Sequence, residues 1–289
     1  MERPGLGEGM PQTVKKLEYL DKASREHPEY REILSVFQGL FSFIQGREGD
    51  TGIAFEVLVH LRKERTQGGF PLIAQESIRA DREKAVSFLC GVVDVMRKVG
   101  REGKEDLGRI DRSLRENGLD LPGLFAACLA RDRGVIDEAA RAISVPPPLL
   151  AFLIEIPVKT ALERFAESVD PSEIEGWEEG YCPVCGGRAG MDELVGEEGR
   201  RLLSCSACFF RWPFKRLKCP YCGNEDPESL SYFTAGEEPT RVGICRKCSR
   251  YIKTRDSRKG NADVPLEVED LTTMHLDLLA GKEGFERGK

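Results

Sequence analysis

Eight of the ten cysteines in this sequence form four C-x2-C pairs, and no other feature constrains the fold as strongly. The pairs are Cys182 and Cys185, Cys205 and Cys208, Cys219 and Cys222, and Cys245 and Cys248. Two pairs have the form C-P-x-C-G, a tight turn in which both thiolates can face one ion and the glycine permits a positive φ. Consecutive pairs have the spacing of four-thiolate sites. The sequence therefore predicts two metal ions, each held by two consecutive pairs.

The spacing alone leaves the metal and its role open. A tetrahedral set of four thiolates suits zinc or rubredoxin-type iron. One interpretation is that the ions serve purely to stabilise the fold, because a ribbon of this size buries too little apolar surface to fold alone. A thioredoxin-like redox motif needs a βαβ context that this region does not offer, and a redox carrier needs iron. The first residues contain no apolar run, so we expect no secretory leader, and a chain of 289 residues in a reducing compartment is not expected to form disulfides.

The chain divides by the periodicity of its apolar residues. Helical spacing runs from residue 11 to 169, short alternating runs follow from 181, and a helical stripe returns beyond Pro265. These patterns predict an α+β protein, with a mainly α-helical N-terminal domain over residues 1–170. Two tandem zinc-ribbon or rubredoxin-like metal-binding β modules follow over 171–260. A C-terminal helix over 261–289 is expected to pack back on the ribbons or on the helical domain. Pro157 predicts a break in the last helical segment of the first domain.

The charge distribution weighs against nucleic acid as the partner. Residues 182–260 carry 15 Lys and Arg against 10 Asp and Glu, and eight thiolates with two divalent ions reduce this excess to +1. The rest of the chain carries 28 against 39. Such a protein suits a phosphate backbone poorly, although a zinc ribbon that binds nucleic acid stays the alternative. A local basic patch remains, which indicates either a solvated face or a surface for an acidic partner. Its members are Arg211, Lys215, Arg216, Lys218, Arg246, Lys247, Arg250, Lys253 and Arg255.

Sequence signatures of catalysis are missing from this chain. It has no metalloprotease, nucleophile-elbow, P-loop or strand-linked dinucleotide motif. The three histidines, His27, His60 and His275, are interpreted as structural, and Cys90 and Cys128 as core residues. The longest apolar run, 149–154, is far shorter than a membrane span. We therefore expect a cytoplasmic protein that is not an enzyme and does not enter the membrane.

The region around the first cysteine pair resembles the FdhE family, which comprises accessory proteins for formate dehydrogenase assembly. The resemblance begins at the segment from Trp177 to Gly186, WEEGYCPVCG. It continues through the other cysteine pairs and into the C-terminal segment, and more loosely over the helical half. Its further motifs are Trp212, Arg216-Leu217-Lys218-Cys219, Cys245-Arg246-Lys247-Cys248, Tyr251-Ile252-Lys253, Glu269-Asp270-Leu271, Leu276-Asp277 and Gly284-Phe285-Glu286-Arg287.

This resemblance implies a cytoplasmic chaperone that binds the catalytic subunit of a formate dehydrogenase during its maturation. It also implies rubredoxin-like iron at the cysteine pairs, which leaves iron and zinc as the two candidate metals. Trp212, Arg216 and Lys218 extend the resemblance between two cysteine pairs without being needed as ligands. They are the predicted partner-binding residues.

Overall fold

The computed structural model describes residues 12–100, 102–236, 239–260 and 264–288. These residues form ten α-helices and nine strands, which confirms the predicted α+β class. Residues 1–11 of the predicted helical domain, including the segment on which the absence of a leader was judged, lie outside the described residues. The same holds for 261–263 and 289 of the predicted C-terminal region.

Eight helices and one small two-stranded ladder make up the described N-terminal half. Asp81, Asp120 and Asp132 begin three of these helices, each accepting a hydrogen bond from a backbone N–H of the first turn. The helices are α1 (Gln12–Glu26), α2 (Arg31–Ile44), α3 (Arg62–Gln67), α4 (Arg82–Val99), α5 (Lys104–Arg115), α6 (Leu121–Ala130), α7 (Arg133–Ala142) and α8 (Pro147–Glu167). The ladder pairs β1 (Ile53–Phe55) with β2 (Ile78–Ala80).

Helix α8 passes through Pro157 without a break, so the predicted division into two helices is wrong. A proline inside a helix removes one backbone hydrogen bond. Here the helix is the central element of the core, with Leu150, Leu153, Val158 and Leu162 each at most 2% exposed. Burial of these side chains offsets the lost bond.

Among the described residues, no single helix is long and apolar enough to cross a membrane. Helices α7 and α8 meet the length and composition requirement only as a pair, and they are bent by 118° relative to each other.

The C-terminal half is built on one sheet. Its strands are β3 (Ala189–Val195), β4 (Arg200–Cys205), β5 (Arg211–Pro213), β6 (Leu230–Phe233), β7 (Thr240–Cys245), β8 (Arg250–Asp256) and β9 (Glu286–Arg287). The order across the sheet is β5-β4-β3-β8-β7-β6, and β9 pairs with β8. We call residues 181–214 the first ribbon and 219–256 the second ribbon. The two predicted tandem ribbons are present, and the parallel pairing of β3 with β8 joins them edge to edge.

Two short helices, α9 (Leu266–Thr272) and α10 (Met274–Lys282), stand where one closing helix was predicted. Their carboxylates reach the buried basic residues of β8. Lys253 Nζ lies 2.7 Å from Asp277, and Arg255 lies 2.8 Å from Glu269. Lys253 and Arg255 are 0% and 3% exposed, so assigning them to a basic surface patch was wrong.

The largest hydrophobic core runs without interruption from the helices into the first ribbon. It includes Leu89 and Phe125 of the helical half together with Val184, Leu203 and Trp212 of the ribbon. The division into domains at residues 170 and 260 stays a prediction.

Lys16 of α1 connects the two ends of the chain through a buried ion triad. Its Nζ lies 2.5 Å from Glu163 of α8 and 2.8 Å from Glu267 of α9. Burial raises the pKa of Glu267 to about 7, with Glu163 adding a second negative charge and Lys16 opposing the shift. Two carboxylates thus share one buried ammonium.

We expect the free energy of unfolding to depend on the protonation of Glu267. The pKa is raised in the folded chain, so the folded state binds a proton that the unfolded state has lost, and stability falls as pH rises toward and through 7. Replacing Glu267→Gln should remove this loss, which amounts to about 1 kcal/mol between pH 6 and 8. Urea denaturation at both pH values measures it. The exposed Glu138→Gln is the control, and parallel stability curves for Glu267→Gln and wild type would contradict the assignment.

Candidate metal centres

The structure brings the first two cysteine pairs together at one buried point, the first site. Its thiols, Cys182, Cys185, Cys205 and Cys208, have ligand atoms that all lie within 4.8 Å of one another. The Sγ atoms of Cys182 and Cys208 are 3.5 Å apart, as are those of Cys185 and Cys205. No member is more than 7% exposed. Access of solvent to this site is therefore small.

The last two pairs meet at the second site, which is more open. It contains Cys219, Cys222, Cys245 and Cys248, again within 4.8 Å of one another. The Sγ distances are 3.8 Å between Cys219 and Cys248 and 3.7 Å between Cys222 and Cys245. Cys222 is exposed and Cys248 is half-buried. The two sites therefore share a ligand set and differ in access.

Both sites fit a tetrahedral ion held by four thiolates. Metal–sulfur bonds of about 2.3 Å place tetrahedral sulfurs roughly 3.8 Å apart, close to the separations seen here. All eight cysteines are free thiols rather than disulfides. Each site can hold a metal ion. The ligand set suits iron and zinc equally.

Each cysteine pair is followed by one residue in the left-handed region. Gly186 and Gly223 hold this position in the two C-P-x-C-G turns, with φ of 68° and 69°. Phe209 and Ser249 hold it in the other two, with φ of 56° and 53°. The left-handed conformation costs a residue with a side chain on the order of 1 kcal/mol. Contacts around each site, including those of a bound ion, offset this cost. Sequence reasoning found the two glycines and missed the other two positions.

Backbone N–H groups of the first ribbon point at its sulfurs. The amide of Val184 donates to Cys182 Sγ at 3.4 Å, and that of Ala207 donates to Cys205 Sγ at 3.3 Å. Such bonds stabilise thiolate and orient it toward an ion. They oppose desolvation, which raises the pKa of the buried Cys182 thiol well above its usual value in the absence of metal. An ion entering the first site therefore displaces protons from its ligands.

The first site is fastened to the helical half through its leading turn. The amides of Leu72 and Ile73 donate to the carbonyls of Pro183 and Val184, both at 2.8 Å. The Tyr181 hydroxyl donates to the Gly69 carbonyl at 2.7 Å. The 69–73 loop is thus hydrogen-bonded to the first ribbon. Loss of the ion from the first site should therefore lower the stability of both halves of the chain.

The three predicted partner-binding residues have different surroundings. Trp212 is 0% exposed, and its indole N–H donates to the Glu179 carbonyl at 3.0 Å. Its ring is a core element and cannot form part of a binding surface or stack on a base. Arg216 is exposed and Lys218 is half-buried, so both can meet a partner. Partner binding by these two residues stays a prediction.

Arg216 and Lys218 line a groove beside the second site, with a volume of about 310 Å³. Its floor is one face of β7 and β8, where Arg241, Gly243 and Ile252 lie. We call this space the inter-ribbon groove. The basic loop of the groove was recognised in the sequence, but the contribution of β7 depends on long-range strand pairing and was missed.

The remaining residues singled out in the sequence have ordinary surroundings. Cys90 is 8% exposed and belongs to the core, and Cys128 is partly buried against that core, as predicted. The Tyr30 hydroxyl lies 3.4 Å from His275 Nδ1, and His27 lies 3.4 Å from Glu29. His60 is exposed. The structure does not bring these three histidines to either cysteine site.

Known proteins similar to this chain are FdhE homologues. One from Aquifex aeolicus is 38% identical over 141 residues, which cover 47% of this chain and 49% of that protein. One from Stutzerimonas stutzeri is 30% identical over 148 residues, covering 50% and 48%. The chain thus spans about half the length of the curated relatives it matches. No protein-family model matches it.

The crystal structure of the FdhE protein from Pseudomonas aeruginosa has a similar fold. It superimposes with a TM-score of 0.68 at 20% sequence identity and covers 95% of this chain and 93% of its own. The fold is therefore shared over nearly the whole length, beyond the part that aligns in sequence. Together, these comparisons confirm the resemblance to the FdhE family that the cysteine region indicates.

Proposed function

We propose that this FdhE-like chain is a cytoplasmic accessory protein that binds the catalytic subunit of a formate dehydrogenase while that enzyme matures. The relationship to FdhE homologues supports an accessory role in formate dehydrogenase assembly. The binding of the catalytic subunit follows from what the family resemblance implies. Both proposals concern the whole protein, of which sequence comparison matches about half.

The geometry of the cysteine sites supports a binding function rather than a catalytic one. Each site offers four thiolates within 4.8 Å, which is a complete tetrahedral set. Structural sites of this kind are closed, whereas catalytic zinc sites keep a position open for water or substrate. Ions bound here order the ribbons and do not present a reactive position. We therefore propose that the metals shape a docking surface.

A zinc ribbon that binds nucleic acid is the second candidate. The basic residues of the inter-ribbon groove favour it. The acidic balance of the whole chain, with a formal charge of −6, opposes it. A nucleic-acid complex would also weaken steeply as salt rises, because bound phosphates release counterions.

Affinity capture from the native host tests the function. We expect tagged wild-type protein to recover the formate dehydrogenase catalytic subunit, identified by mass spectrometry. Arg216→Glu/Lys218→Glu should reduce that recovery at least fivefold with unchanged metal content, because both residues line the inter-ribbon groove and neither is a metal ligand. Lys63→Glu/Lys104→Glu makes the same charge change at exposed positions of α3 and α5 and should recover as much as wild type.

The alternative gives a different result in the same experiment. Recovery of nucleic acid without any formate dehydrogenase subunit, even for wild type, would contradict the accessory role. Repeating the capture at 50 and 300 mM salt gives a second criterion, because a nucleic-acid complex weakens with a slope set by the number of phosphates contacted, which is steeper than for a few charge pairs at a protein interface.

A further inference from the structure

The inter-ribbon groove has a strongly one-sided charge. Five cationic side chains line it, against one carboxylate, Asp192, and a net charge of −2 on the second site when it holds a divalent ion, since Cys219 and Cys245 also belong to the lining. The cationic residues are Arg201, Arg216, Lys218, Arg241 and Arg250. An excess of one sign in a concave site focuses the electrostatic field and attracts ligands of the opposite charge. The groove is thus a positive site on an acidic protein.

One of these cations builds the groove wall. Arg201 pairs with Asp192, and its Nη1 donates to the Lys218 carbonyl at 2.7 Å. It also reaches the carbonyls of Lys215 and Arg216. These bonds fix the 215–218 loop above the sheet and neutralise the one acidic residue of the lining. The shape of the groove therefore exists before any ligand binds.

Three other cations keep their charge for a ligand. Within the part of the chain that the structure describes, no carboxylate lies within 4.0 Å of Arg216, Lys218 or Arg241. The Arg241 guanidinium lies 4.1 Å above the Tyr232 ring, and Lys218 Nζ lies 5.6 Å from the Phe214 ring. Contacts with ring faces hold Arg241 and Lys218 in place without cancelling their charge, and Arg216 donates to the Glu198 carbonyl at 3.3 Å.

The groove also offers apolar surface. Leu217 and Tyr232, at 57% and 61% exposure, belong to its lining. Gly243 of β7 places no side chain on the floor between Arg241 and Cys245, so the floor is low there. A single-stranded nucleic acid can place phosphates on the cations and stack a base on Tyr232, but it has no group that needs the aliphatic Leu217. A peptide with acidic and apolar side chains uses the cations, Tyr232 and Leu217 together. The lining therefore favours a peptide.

We propose that the inter-ribbon groove binds an acidic peptide segment with apolar side chains, supplied by the protein partner. Its carboxylates meet Arg216, Lys218 and Arg241, and an apolar side chain covers Leu217 and Tyr232. In this form the proposal rests on the proposed function, because it names the contact through which the client docks. The second site lies directly behind the groove, since Cys219 and Cys245 belong to the lining. Metal at that site thus holds two walls of the groove together.

A peptide library tests the groove without any client. Metal-loaded full-length protein is used to select from a random dodecapeptide phage library, and the enriched peptides are synthesised with a fluorescent label. We expect enrichment of Asp and Glu together with Leu or aromatic residues. Enrichment of basic peptides, or none, would overturn the proposal. So would tighter binding of a twelve-nucleotide oligo-dT probe than of the selected peptide in fluorescence anisotropy.

Three variants locate the binding. Arg216→Glu/Lys218→Glu and Arg241→Gln remove cations, and Gly243→Val fills the floor without changing charge. A Cβ at position 243 meets Thr254 Oγ1 at 3.5 Å, an ordinary contact, so valine fits the strand. Each variant should bind the peptide at least tenfold more weakly, with metal content and circular dichroism of wild type. Lys63→Glu/Lys104→Glu should bind like wild type. Equal binding by Gly243→Val and wild type would place the peptide elsewhere and refute the proposal.

The two proposals fail in different ways. If wild type and the groove variants all capture the catalytic subunit equally, the client docks at another surface and the groove proposal is wrong while the function stands. If the selected peptide needs the groove but no formate dehydrogenase subunit is recovered, the groove proposal stands and the function is wrong. Sedimentation shows whether the chain associates with itself. If it does, and if the groove variants abolish this association, the groove binds a second copy of the chain and the proposal of a separate partner is wrong.

Discussion

Serine at both Cys219 and Cys222 will remove one of two metal equivalents and leave most of the helical circular dichroism. Serine at both Cys182 and Cys185 will also remove one equivalent, but it will lower the stability of the whole chain. The reason is the position of the first site inside the continuous core and its backbone bonds to Leu72 and Ile73. Ions at structural sites contribute on the order of 10 kcal/mol, comparable to the total stability of a domain.

Metal analysis and thermal denaturation of protein purified without oxygen and without added zinc measure both effects. The same analysis identifies the metal as iron or zinc. Cys128→Ala is the matched control, because it removes a partly buried thiol outside either site and should keep two equivalents. Loss of both equivalents from either double variant would indicate shared ligation and contradict two separate sites.

The two sites will release metal at rates that differ at least tenfold, with the second site first. A chelator or thiol reagent has to reach a ligand, and Cys222 is exposed while the four thiols of the first site are at most 7% exposed. Release from the first site requires local opening of the core, which costs a large part of the global stability. Absorbance of the chelator complex should therefore show two phases of equal amplitude.

Variants assign those phases. The Cys219→Ser/Cys222→Ser protein should keep only the slow phase. A single phase in wild type, or a fast phase that survives in this variant, would show that burial does not control access to the ions. If the second site is the faster to empty, mild chelation that removes only its ion should also weaken peptide binding in the adjacent groove, since Cys219 and Cys245 belong to the groove lining.

The cysteine sets could be predicted from the sequence because ligand turns are local. Two cysteines separated by two residues, with a glycine after them, specify the geometry of one half-site wherever the turn lies in the fold. The same locality explains what was missed. Phe209 and Ser249 adopt the left-handed conformation of those glycines, but neither residue type signals it.

The burial of the basic residues could not be predicted from the sequence, because it depends on long-range contacts. Lys253 and Arg255 lie on the same face of β8 as Tyr251 and suggest, from sequence alone, an exposed charged face. Their carboxylate partners come from α9 and α10, which follow the ribbons in sequence. A buried lysine or arginine requires such partners, and sequence alone does not pair them. Trp212, predicted to bind a partner, has a fully buried ring in the core cluster that the first ribbon shares with the helical half, and sequence alone does not show that shared core.

The parallel pairing of β3 with β8 bears on how the chain is assembled during synthesis. The first site is complete once Cys208 has left the ribosome, and β3 is then already paired with β4 on one edge. Its other edge finds β8 only when Lys253 and Thr254 have followed. Domains tend to fold as they emerge, N-terminal parts first. An ion can therefore be captured by the first ribbon while the edge of β3 is still open, and the second ribbon then closes that edge as its last strand arrives. A nascent chain stalled after the first ribbon would expose β3 as a strand edge open to another chain.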